Sequence, residues 1–159
     1  MNCITDICRS LFQQGFKKIL IVNGHCGNSI LLQATSIKIR EELGQIVGIA
    51  TFFDLVKDVA IVDHAGEPET SVLMHISPDL VKKPEKPSGD QFHKFFSLKH
   101  SYVVIPMPPT NELTKVGYMG DPTEASSKKG EVLLETAANR LANYIMEVKK
   151  RGYLIGYIP

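Results

Sequence analysis

The chain has 159 residues, enough for one domain that buries about two-thirds of the surface its unfolded form exposes. Its 18 basic and 17 acidic residues leave a formal charge of +1, which gives no electrostatic reason to expect a nucleic-acid or membrane partner and directs attention to a small molecule. Cys3, Cys8 and Cys26 form no paired framework, no apolar run approaches the roughly 20 residues that span a bilayer, and the first residues do not show the basic-then-apolar layout of a signal peptide; the expectation is a cytoplasmic protein without disulfides.

Helical spacing begins almost at Met1, with Ile4, Ile7, Cys8, Leu11 and Phe12 on one face and Gly15 as the stop. The chain is therefore expected to begin mid-fold, with groups that earlier strands would deliver either coming from elsewhere or missing. The continuous apolar run Ile19 to Val22 predicts a strand over 18–23 that is buried on both faces. It ends at Asn23-Gly24, and a helix follows from Ser29 to Leu43, with Ile30, Leu31, Ala34, Ile37 and Ile39 as its apolar positions and Gly44 closing it. A second strand over 46–53 completes a βαβ unit, which places its carboxyl end beside the first.

A polar loop over 54–66 leads to a short helix, with Pro68 in its first turn and Glu67 and Glu69 favouring its N-terminus, ending before Pro78. Residues 82–100 have the composition of an irregular excursion, a candidate lid or subunit contact. Residues 102–107 read as a strand that Pro106 confines to an edge or to the strand's end. After a loop punctuated by Gly117, Gly120 and Pro122, a long helix starts near Thr123 or Ser126 and runs to about Lys150. Val132, Leu133, Ala137, Leu141, Tyr144, Ile145 and Val148 mark its buried stripe. The apolar tail is expected to dock on the domain or a neighbouring subunit.

The first candidate for chemistry is His25, presented at the carboxyl edge of the sheet, where open α/β sheets bind ligands. Its imidazole is suited to a metal or to proton transfer, the alternative being a hydrogen bond that only shapes the loop. Gly24 and Gly27 shape the turn, and Asn23 and Asn28 tie it to neighbouring backbone or cap the helix. The second candidate is the segment from 63 to 71, where Asp63, His64, Glu67 and Glu69 crowd a loop-to-helix junction. Such a cluster suits a divalent cation, and equally a solvated helix start. Cys26 on a strand-to-helix turn could serve as a nucleophile with His64 as base, although Asn28 stands where that elbow needs a small residue. His75, His93 and His100 receive no role.

Three segments in order, GFKKILIVNGHCGNS at 15–29, DHAGEPETSVLMHISPDLV at 63–81 and LTKVGYMGDPTEASSKKGEVLLETAANRLANYI at 113–145, resemble the creatininase family of metal-dependent amidohydrolases. The resemblance implies a three-layer α/β/α sandwich with a mostly parallel sheet, here a single domain over 1–159 lacking its N-terminal part. It implies a homo-oligomer, often a hexamer, and a one- or two-metal centre of zinc, manganese or iron that activates water against an amide or cyclic amide. By position, His25 and Glu69 would be metal ligands, His64 would assist proton transfer and Glu67 would orient groups around it. Cys26 replaces a glycine usual in the family, and Gly27 stands where the creatinine-degrading branch has a liganding glutamate. An upstream E-x-H…D pattern with three further ligands is not in this chain; two ligands are too few for a catalytic metal, so the isolated chain need not carry one. A non-catalytic subunit kept for assembly and a cysteine hydrolase are the alternative readings.

Overall fold

The computed structural model describes residues 1–60, 64–82, 109–154 and 156. Asp63, His93, His100, the expected strand over 102–107 and nearly all of the 82–100 excursion lie outside the described residues. Two compact units are present, Met1–Lys57 with Thr136–Pro159, and Asp58–Glu135. Each is described by itself.

In the first unit, helix α1 (Asn2–Gln13) is followed by strand β1 (Ile19–Asn23), a 3-10 turn (Cys26–Asn28) and helix α2 (Ser29–Leu43). Strand β2 (Val47–Thr51) and the short helix α3 (Phe52–Val56) come next. Gly15 and Gly44 take left-handed backbone at the ends of α1 and α2, as helix-stopping glycines do. The strands pair in parallel, in register from Ile19 opposite Val47 to Asn23 opposite Thr51, so both carboxyl ends lie side by side as the βαβ pattern predicts.

Ile19, Ile21 and Val47 pack with Cys8 of α1 and Ile39 of α2, together with Ile4, Phe12 and Leu43. Alternate strand residues face the other way. There Gly48 leaves room for Tyr144 and Leu154, whose Oη and Cδ2 atoms lie 3.7 and 3.8 Å from where a β-carbon at 48 would sit. The tail is thus docked as far as Leu154.

Several expectations need correction. The buried face of α2 is Leu32, Thr35 and Ile39, while Ile30, Leu31 and Ile37 are exposed. Thr35 can be buried because its hydroxyl donates to the Leu31 carbonyl at 2.6 Å, so a polar letter occupies the middle of the inward stripe. The same device operates in α1, where buried Thr5 donates to the Met1 carbonyl at 3.2 Å and Ile7 faces outward. Strand β1 is not buried on both faces, since Val22 is 57% exposed. Strand β2 stops at Thr51, whose extended backbone starts α3; Phe52 and Phe53, aromatic residues that suit a strand, become its first turn. The Leu55 carbonyl of α3 accepts a bond from Arg140 Nη1 at 2.6 Å.

The second unit holds helix α4 (Glu67–Ile76), a 3-10 turn (Pro78–Leu80) and helix α5 (Thr110–Leu113), which falls in the segment expected to be loop. Helix α6 (Ser127–Arg151) starts in this unit and continues into the first. Leu133, Ala137 and Val148 of its expected stripe are buried, whereas Val132 and Ile145 are about half exposed. Gly130 supplies the place a side chain would otherwise take, at the contact with Ser71 of α4. Among the described residues no helix is long and apolar enough to cross a membrane.

Candidate active site

In the first unit the candidate residues are organised by Asn23, which is 3% exposed at the end of β1. Its amide nitrogen donates to Ser29 Oγ at 3.3 Å and Thr51 Oγ1 at 3.4 Å, so it ties the strand pair to the start of α2. Its carbonyl oxygen accepts from the His25 backbone N–H at 3.2 Å and from Asn28 Nδ2 at 3.4 Å. Asn28 accordingly ties the loop and makes no side-chain cap on α2. His25 is exposed in extended backbone, and its ring lies over Gly27, where a β-carbon would come within 2.8 Å of Nε2. Cys26 is exposed, and a β-carbon at Gly24 would meet open space.

In the second unit the backbone of His64 is held from outside: its carbonyl accepts from the N–H groups of Met119 and Gly120, each at 2.9 Å. Ala65 follows with φ +51°, a left-handed conformation that costs an alanine about 1 kcal/mol because its Cβ crowds the next carbonyl. The Ala65 N–H donates to Glu69 Oε2 at 2.5 Å. Glu69, in the first turn of α4, therefore reaches back to satisfy a donor ahead of the helix, in the manner of a capping box. Glu67 points to a different partner, Lys129 Nζ at 3.0 Å, and the same ammonium donates to the Glu124 carbonyl at 2.8 Å. Asp121 closes the turn before α6 by accepting from the N–H of Thr123 at 3.0 Å and its hydroxyl at 2.5 Å.

His64 and Glu69 line one open cleft of about 640 Å³. Tyr118 and Lys82 add polar groups to it, and Leu73, Leu80, Val81 and Val116 form apolar walls. His64 and Glu69 are thus brought together, Glu67 is engaged with Lys129, and His25 belongs to the other unit. Among the described residues no three His, Cys, Asp or Glu side chains gather to hold a metal. His75 is exposed on α4. The hydrogen bond from Lys128 and the charge of that ammonium hold the Glu131 carboxyl below the usual range. Sequence reasoning gave no role to Lys129 or Tyr118. Tyr118 lies beside Gly117 in the segment read as punctuation, and Lys129 lies in the third segment of the family resemblance, at the start of the expected long helix.

The family pattern described as "Creatininase: Creatinine amidohydrolase" matches residues 1–145. The chain belongs to the creatininase family. It is 28% identical over 163 aligned residues to creatinine amidohydrolase of Pseudomonas putida, across 91% of this chain and 60% of that protein. It is 33% identical over 128 residues to the mycofactocin precursor peptide peptidase of Mycolicibacterium smegmatis, across 80% of this chain and 48% of the relative. The chain therefore spans between about half and three-fifths of these two relatives. Among solved structures, a glutamate-to-glutamine mutant creatininase of Zn-Zn type superposes with a TM-score of 0.71 at 26% identity, over 91% of this chain and 61% of that one. The creatininase-like fold is thus present, with helices and, among the described residues, a small parallel sheet.

Proposed function

We propose that this creatininase-family chain contributes to a metal-dependent amidohydrolase that hydrolyses an amide or cyclic amide C–N bond in a small molecule. The observation that carries the reading is the convergence of His64 and Glu69 on one cleft, both from the segment HAGEPETS that carries the family resemblance. The names of the relatives favour neither a cysteine hydrolase acting through Cys26 nor a non-catalytic subunit.

The imidazole of His25 and the carboxylate of Glu69 have the donor chemistry of a zinc or manganese site, with iron equally served. Among the described residues no three such side chains gather, so the reading requires further ligands from residues beyond those described. A divalent ion so bound would supply the acidity that makes water a nucleophile at neutral pH and polarises the amide carbonyl. His64 takes the proton of the attacking water and returns it to the leaving nitrogen. Lys129 pairs with Glu67 at the start of α4, and the apolar walls offer the non-polar part of a substrate a surface to lie against.

The proposal extends to the three-layer α/β/α sandwich as one domain, with α1 and α2 on one sheet face and α6 on the other, to homo-oligomeric assembly and to a cytoplasmic setting. The test is elemental analysis of the purified protein supplied with zinc or manganese, alongside His25→Ala and Glu69→Ala, with amide hydrolysis followed in parallel. Stoichiometric metal that is lost in both variants is expected. Metal retained in full by either variant removes that residue from the ligand set.

A further inference from the structure

The peptide between His64 and Ala65 is held from both sides. On one side the His64 carbonyl takes the two N–H groups of Met119 and Gly120. On the other, Ala65 stands at φ +51°, the one non-glycine residue with positive φ among those described, and its N–H is held by Glu69 at 2.5 Å. An alanine released from such a conformation relaxes to negative φ, because its β-carbon no longer has to crowd the following carbonyl. That relaxation rotates the 64–65 peptide and carries the His64 carbonyl away from Met119 and Gly120. A bond from a carboxylate to a backbone N–H is charge-assisted and strong for its kind, so it can hold the residue in the left-handed region.

We infer that Glu69 is a positioning residue for His64: its Oε2 holds Ala65 left-handed and thereby fixes where the imidazole enters the cleft. The geometry stands without the amidohydrolase reading, and only its catalytic consequence rests on that reading. One carboxylate then has two tasks, holding the backbone through Oε2 and lining the cleft as a candidate cation donor.

The two tasks separate by substitution. A glutamine at 69 still accepts the Ala65 N–H through its amide oxygen but is a poor cation ligand, whereas alanine does neither. The measurement is the imidazole Cε1–H signal of His64 in the metal-free full chain, assigned with His64→Gln and read by proton–carbon correlation NMR. Glu69→Gln is expected to leave the signal in place while weakening zinc binding about tenfold. Glu69→Ala is expected to move it, and Ala65→Gly in that background to bring it back, since glycine takes positive φ without strain.

Equal displacement by Glu69→Gln and Glu69→Ala, or none in a folded Glu69→Ala protein, overturns the inference. Should Glu69→Ala not fold, Ala65→Gly alone decides. A raised Tm supports the left-handed residue, and a lowered one overturns it. Zinc binding is read separately, so failure of the metal reading leaves the His64 result interpretable.

Discussion

A β-carbon on Gly130 would lie 2.0 Å from the carbonyl oxygen of Ser71, so α6 meets the backbone of α4 at a distance only glycine permits. Ser71 is fully buried, and its Oγ accepts the Ser126 N–H at 3.1 Å one turn earlier. Helix propensity alone would make Gly130→Ala stabilising by about 1 kcal/mol. Here the clash is with backbone, which cannot rotate away, and overpacking costs about 3 kcal/mol. Gly130→Ala should therefore lower the urea midpoint. An unchanged or raised midpoint would contradict the close contact.

Asn23 makes four hydrogen bonds while almost wholly buried. Its replacement by alanine strands the His25 N–H and the Thr51 hydroxyl, and is expected to cost about 2 kcal/mol in denaturant unfolding. Asn23→Asp keeps the acceptor for His25 and loses the donors, so an intermediate loss is expected. If Asn23→Ala unfolds at the parent's midpoint, the residue is not what joins the strand ends to α2.

Hydrogen exchange tests the placement of His64. The amides of Met119 and Gly120 lie in irregular backbone, yet both donate to one carbonyl. They should exchange at least about tenfold more slowly than free amides of the same sequence. Exchange at the unprotected rate would show that the two segments part readily.

Burial pushes the Cys8 thiol pKa up, since the core disfavours its thiolate. Unfolding returns it to the ordinary range near about 8.5. Above that value the unfolded chain gives up a proton the folded one keeps, so stability from this group is intact below it and declines as pH rises toward the folded pKa. A thiol-reactive dye at pH 8 should label exposed Cys3 and Cys26 quickly and Cys8 only on unfolding. Rapid labelling of Cys8 in the folded protein would refute its place in the core.

The elements legible in the sequence were those whose signals are local. Gly15 and Gly44 set the ends of α1 and α2, and Pro68 with its flanking glutamates set the start of α4. Burial was read less well wherever a polar residue faces inward. Thr5 and Thr35 satisfy their hydroxyls on the preceding turn, and no apolar period contains them. Phe52 and Phe53 suit a strand by propensity, yet they open α3 directly after Thr51, with Asp54 in the same first turn. For the candidate site, the motif HAGEPETS was readable as chemistry, but the partners of its backbone were not. Met119 and Lys129 lie more than fifty residues away from the groups they hold.

Gly27 has no side chain, and the His25 ring fills the volume that one would claim. A larger residue introduced at 27 in this chain would therefore have to displace the imidazole, which is the flexible end of its side chain. One new β-carbon would re-aim a donor whose identity never changes.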